Sequence, residues 1–146
     1  MSGHVDPSKE QFAAFAKSGV AGPVQMLNLL RFNERARYAD GHGEPGLTGA
    51  EAYKVYAKAS APFFAGVGGV MAWSGKPVAG VIGPPGEAWD AGFVAEYPDL
   101  DAFVSMVRNE GYQAIVHHRQ AAVADSRLYG FAKSDAHGSG GPGVFG

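Results

Sequence analysis

The chain has no cysteine. That single absence removes disulfides, thiolate nucleophiles, zinc–thiolate sites and iron–sulfur ligation together. Charge is scarce as well: 18% of the 146 residues are charged, and the formal net charge is −2. No block of like charge occurs, which argues against nucleic acid as a partner, because phosphate binding needs a basic stripe. No apolar run approaches the ~20 residues of a membrane span, and the first residues lack the basic-then-apolar order of a signal peptide. The expected location is therefore the cytoplasm, with no membrane contact. Nucleotide motifs are missing too. Gly80-Val-Ile-Gly-Pro-Pro-Gly86 lacks the Lys-Ser/Thr of a phosphate loop, and no Gly-x-Gly-x-x-Gly has the right strand and helix around it. No Gly-x-Ser-x-Gly elbow is present. No cofactor is expected.

What the chain does have is apolar: 46% of it is hydrophobic, enough for a core at this length. The most informative stretch is Pro23-Val-Gln-Met-Leu-Asn-Leu-Leu-Arg-Phe32. It reads as a strand whose two alternate sets, Val24, Met26, Asn28, Leu30, Phe32 and Gln25, Leu27, Leu29, Arg31, are both mostly apolar. Helices of the same chain can cover one face. The other implies a second copy, so a homodimer is expected.

The remaining elements follow in order. Residues 1–7 read as a loose leader. Ser8 and Gln11 form a capping-box pattern before a short helix carrying Phe12, Phe15 and Ala16. Residues 33–47 form a long polar connection, a length usually reserved for a lid or an interface arm. Thr48 and Glu51 make a second capping box. The helix it opens carries Ala52, Val55, Tyr56, Ala59 and Phe63 on one face, with a bend or the start of a new turn expected at Pro62. Strands are expected at residues 70–74 and 89–97, joined by an apolar, glycine-broken connector. Asp99 is the N-cap of a helix with Leu100, Phe103, Val104 and Val107 on its buried face. Gly111 interrupts it, and a further helix runs from Tyr112 through Val123 to Asp125. The last strand is expected at 127–133. The order is helix, then β-α-β-β-α-β: an α+β, ferredoxin-like arrangement with a four-stranded antiparallel sheet and an extra N-terminal helix. Residues 1–133 are read as one domain and 134–146 as a Gly-rich tail.

Met26-Leu-Asn-Leu-Leu-Arg-Phe32, Trp89-Asp90 before a strand, Glu96-Tyr-Pro98 before a helix, and Tyr112 with Arg119 ahead of Asp125-Ser-Arg-Leu128 resemble the domain-of-unknown-function 1330 family. The resemblance spans roughly residues 22–133. It implies a dimeric α/β barrel, in which two sheets face each other, and it implies no particular activity. Relatives in that superfamily include cofactor-independent monooxygenases, muconolactone isomerases and haem enzymes.

Several side chains are candidates for chemistry. Arg119 lies seven residues after Tyr112, hence within ~20° of the same side of one continuous helix. A guanidinium on that apolar face either pairs with Asp125, Glu96 or Asp90, or clamps a ligand carboxylate. Asn28 either bonds backbone across the sheet or orients a substrate carbonyl. Arg31, three residues on, points to the opposite face, and it anchors the long loop through Glu34 or Asp40 or serves the site. Tyr38 and His118 are candidate proton carriers. Trp73, Trp89 and Tyr53 are candidate walls of a small-molecule pocket, with core or dimer packing as their other use. His117 and His118 are adjacent, ~100° apart on a helix, and Asp40, His42 and Glu44 lack ligand spacing, so no metal is expected. Two readings result. One is a cofactor-independent enzyme for proton transfer or oxygenation of a small carboxylate or enolisable compound. The other is a non-catalytic homodimeric ligand-binding or structural module.

Overall fold

A computed structural model of the chain describes residues 3–134; residues 135–146, almost all of the Gly-rich tail, lie outside the described residues. The elements are α1 (Lys9–Ala16), β1 (Val24–Phe32), α2 (Gly49–Gly66), β2 (Val70–Gly75), β3 (Ala91–Tyr97), α3 (Leu100–Arg108), α4 (Glu110–Ile115), α5 (His117–Ala122) and β4 (Val123–Ala132). The sheet is antiparallel throughout, in the order β2-β3-β1-β4. This is the ferredoxin-like α+β fold, with α1 added at the front.

The caps form as their chemistry requires. Ser8 Oγ accepts from Gln11 N at 3.0 Å. Thr48 and Glu51 close a reciprocal capping box, at 3.1 and 2.9 Å. Asp99 accepts from Ala102 N at 2.7 Å. Each satisfies backbone donors that the first turn leaves without a partner.

Residues opposite one another in the ladder share a face. Val24, Met26, Asn28 and Leu30 of β1 therefore lie on the side of Tyr97, Ala95, Phe93 and Ala91. The helices cover this side. Val24 and Leu30 have no exposed surface, and Met26, Tyr97, Leu100, Phe103, Met106 and Tyr112 form the main buried cluster with Val24. A second cluster gathers Leu30, Ala52, Ala122 and Val123. α1 seals the β4 side of this layer. A Cβ on Gly130 would stand 2.6 Å from the Phe15 ring, so only glycine lets that ring lie on the strand.

The other side carries Leu27, Leu29, Val94, Tyr129, Phe131, Val70 and Trp73, and no helix crosses it among the described residues. Val70, Trp73, Tyr129 and Phe131 each remain more than half exposed.

Four local expectations need correction. The leader is not loose at 4–6: His4 N donates to Asp125 Oδ1 (2.9 Å), Ser126 Oγ to His4 O (2.7 Å) and Gln120 Nε2 to Asp6 Oδ1 (3.1 Å). Pro62 lies inside α2, which runs continuously from Gly49 to Gly66; both it and Lys58, whose carbonyl the proline leaves without an amide donor, are exposed. The helix expected from Tyr112 to Asp125 is two short helices divided at Val116. Asn109, rather than Gly111, breaks the preceding helix and caps the next, its Oδ1 accepting from Gly111 N and Tyr112 N. Val123 already belongs to β4, where it is 2% exposed and pairs with Phe32; a β-branched side chain suits that half-turned position better than a helix end.

Leu30 lies where the second cluster meets the central strand. Leu30→Ala is expected to destabilise the fold by about 2–5 kcal/mol, read as a lowered midpoint in urea unfolding with an unchanged slope.

Candidate functional site

The connection at 33–47 folds back onto α5 through its own backbone. Asn33 N donates to Ala122 O (2.8 Å), Arg37 N to Ala121 O (2.9 Å), and Asn33 Nδ2 to Ala121 O (3.0 Å). These bonds satisfy the carbonyls at the end of α5 that have no partner within the helix. They also fix Tyr38 against the start of α5.

There Tyr38 Oη lies 2.7 Å from His118 Nδ1. Gly43 lies over the phenol ring, close enough that a Cβ would come within 2.4 Å of it. The His117 ring stacks on His118 at 4.1 Å, and His42 lies 6.3 Å from His117. Burial, and then the neighbouring His117, hold the His118 pKa below its ordinary value. Burial, and then Glu44, raise that of Tyr38. A neutral imidazole and a protonated phenol therefore face each other at neutral pH, within hydrogen-bond distance.

Arg119 follows directly. Its guanidinium donates to the Val5 carbonyl and, at 3.5 Å, to Ser126 Oγ. Among the described residues it forms no ion pair. The carboxylates expected to neutralise it are engaged elsewhere. Asp125 takes Arg127 at 2.8 Å, Glu96 takes Lys133 at 3.3 Å, and Asp90 Oδ2 accepts from Phe32 N at 2.9 Å. The internal-pair reading of Arg119 is thus overturned. The helix splits at Val116, yet Arg119 still acts on the phenols of Tyr53 and Tyr112, whose pKa values burial drives upward and its positive charge draws down.

The other candidates are placed apart. Asn28 Nδ2 donates to Met26 O on its own strand at 3.0 Å, on the helix side. Arg31 points to the open side and approaches Asp125 at 4.0 Å, instead of anchoring the loop through Glu34 or Asp40. Trp73 lies on the open side of β2 and is half exposed. Trp89 lies under the Arg127 guanidinium, 5.1 Å from the ring centre. Tyr53 is on the helix side, 5.4 Å from Phe32 and 5.2 Å from Tyr56. Trp73, Trp89 and Tyr53 therefore do not wall one pocket within a single subunit. The sequence reading also missed a polar centre in the helix layer, where Tyr56 and Tyr112 hydroxyls meet at 2.7 Å. The only signal for it was the tyrosine pair at i, i+3 on α2.

Among the described residues no three His, Asp or Glu side chains are arranged to hold a metal ion. No helix there is long and apolar enough to cross a membrane.

Residues 45–129 match the model of the family described as Domain of unknown function (DUF1330). The chain belongs to that family. The RPA0582 protein of Rhodopseudomonas palustris, itself of unknown function, is 47% identical over 89% of this chain and 96% of its own, with a TM-score of 0.81. The methylated RPA0582 protein is 46% identical, over 94% of this chain and 99% of its own, with a TM-score of 0.87. SnoaB, a cofactor-independent oxygenase from Streptomyces nogalater, is 18% identical over 82% of this chain and all of its own, with a TM-score of 0.50, and shares the fold. No protein of curated function matches. The DUF1330 match runs from the end of the loop through α2, β2, β3 and the later helices into β4. Both Tyr53 and the His118–Arg119 pair fall inside it, whereas Asn28, Arg31 and Tyr38 precede it.

The lowered His118 pKa sets a pH dependence. The unfolded ring takes up a proton near the ordinary value of 6.5, and the folded ring only at lower pH. The native state is therefore favoured above that value, and the advantage is lost as pH falls toward the folded pKa. The melting temperature should drop as pH goes from 7.5 to 5, and His118→Gln should flatten that profile relative to the parent protein, measured by calorimetry at matched ionic strength.

Proposed function

We propose that the protein is a homodimeric, cofactor-independent protein that binds a small anionic, enolisable molecule and moves a proton on it. The observation that carries this reading is the 2.7 Å contact between Tyr38 and His118, followed on α5 by an arginine with no carboxylate partner among the described residues. With Nδ1–H donating to the phenol oxygen, His118 Nε2 holds a free lone pair, and the depressed pKa keeps it unprotonated near neutrality. The base takes the proton from the substrate carbon, and the electron pair delocalises into the adjacent carbonyl. Arg119 holds the carboxylate, for which its planar fork is suited and for which the Val5 carbonyl is a weaker partner. Asn28 and Arg31 have no part in this step. The half-exposed apolar side of the sheet supports assembly of two copies, since an apolar patch of that kind on a water-facing sheet is otherwise unfavourable. The scarcity of positive charge argues against nucleic acid, and the cysteine-free sequence fits the cytoplasm.

A second reading, a ligand-binding or structural module without catalysis, is favoured by one observation. Asn28 is satisfied by its own strand, and Arg31 is opposed by Asp125.

A thermal-shift screen of small carboxylates and keto acids tests the binding part. A stabilising compound should lose its effect on Arg119→Ala, while the apo melting temperature moves little, because two hydrogen bonds and no buried ion pair are removed. The chemical part is tested by NMR, as exchange of the acidic C–H of that compound for deuterium. His118→Ala should slow it by about 10²-fold or more, and Tyr38→Phe by less. Exchange that is absent, or equal in parent and His118→Ala, leaves only the module reading standing.

A further inference from the structure

The connector between β2 and β3 exposes more of its aliphatic side chains than any other segment among the described residues. Residues 76–88 hold Val78, Val81 and Ile82, which are 98%, 92% and 98% exposed. A bare aliphatic side chain is ordinary when single. Three within five residues, on a connector carrying one Lys and one Glu, are not ordinary for a surface meant for water. The connector is also held in place. Its start lies against the open side of the sheet, where the Pro77 ring is 4.0 Å from the position a Cβ would take on Gly92. Its end is tied down by Glu87, paired with Arg127 at 3.2 Å, and by Trp89 under the same guanidinium. Asp90 N then donates to Leu30 O at 2.7 Å. Pro84 and Pro85 stiffen the segment between these ends. The result is an arm rooted at both ends on the rim of the uncovered side, with its aliphatic side chains held away from the body of its own subunit.

We propose that this arm is a clasp for a second copy of the chain: Val78, Val81 and Ile82 of one subunit bury against the open side of the partner's sheet, and the reverse contact forms by symmetry. The inference rests on the homodimer of the preceding section and names the element that closes it. Each subunit supplies both halves of the contact, an apolar arm and an apolar sheet with Trp73, Tyr129 and Phe131 half exposed. That is the requirement for a closed two-fold assembly, as opposed to an open chain of subunits. The arm roots are continuous with the same sheet side, so covering the sheet and covering the arm are one event. The near-absence of charge on the arm disfavours an acidic or basic partner, and an anionic membrane would need cations that it does not carry.

The chain has no cysteine, so a single Val81→Cys gives a unique thiol. Light scattering after size exclusion gives the mass, and maleimide labelling gives the accessibility of that thiol. At concentrations where the mass is that of a dimer, labelling should be at least about tenfold slower than for a free thiol. It should speed up on dilution as the dimer dissociates. The triple change Val78→Ser, Val81→Ser, Ile82→Ser should raise the dimer dissociation constant about 100-fold or more. The circular dichroism spectrum should be retained, since these side chains touch little of their own subunit. A parent protein that is monomeric at all concentrations overturns both the homodimer and the clasp. A parent dimer whose Val81→Cys variant labels at the free-thiol rate, or whose triple variant associates as tightly, overturns the clasp alone. Protection that persists in the monomer, or appears only with vesicles, also overturns it.

Discussion

A sheet has two sides, and among the described residues the helices cover one. β1 is hydrogen-bonded on both edges, to β3 and β4, so its position is dictated by the ladder and it cannot rotate to hide its second set of side chains. Val24, Met26 and Leu30 are sealed beneath the helices. Leu27 and Leu29 face the other way, where each is only partly covered by its neighbours on the sheet. The helix layer, the position of the loop and the rooting of the 76–88 arm all follow from that division.

The candidate site belongs to the helix side and is built from segments with little in common in sequence. The loop brings Tyr38 because the last carbonyls of α5 need donors and the backbone of Asn33 and Arg37 supplies them. α5 brings His118 and Arg119. The leader brings a backbone carbonyl to the guanidinium, and β4 brings Ser126. Partial burial then sets the charge state of each group: it disfavours imidazolium at His118 and phenolate at Tyr38, so both are neutral where they meet. Beyond this pair, Asp125 gathers charge. Burial by itself would raise its pKa, but donors from His4, Arg127 and Ser126 outweigh that and hold the carboxyl below its ordinary value.

Much of the framework could be read from local pattern. Ser8, Thr48 and Asp99 act as caps because capping is chemistry within three residues. Two-residue alternation on β1 and β3 sorts their side chains onto the two sides of the sheet, and Leu100 and Phe103 of the expected α3 stripe are buried, with Met106 from outside that stripe beside them. The break at Val116 was not readable, because the residues around it suit a helix and only the turn into β4 requires it to end. The partner of Arg119 was misjudged for a related reason: Asp125, Glu96 and Asp90 were its expected partners, and each has a cation or amide donor of its own in space. The tie between the leader and β4 had no signal in the leader, which contributes the backbone N–H and carbonyl of His4, groups that every such residue possesses.

Residue order alone was enough for the order of the strands and the helices between them, apart from the break at Val116, for the class of fold and for the two apolar sets of β1. Those are properties of periodicity and composition, and each depends on residues within a turn or two of one another. Folding in three dimensions was needed to bring Tyr38 to His118 across 80 positions, to leave Arg119 without a carboxylate among the described residues, and to give Asn28 the Met26 carbonyl and Arg31 the Asp125 carboxylate as neighbours. Hydrogen bonds and ion pairs select among partners by distance in space. A list of residue types does not contain that distance until the chain has folded.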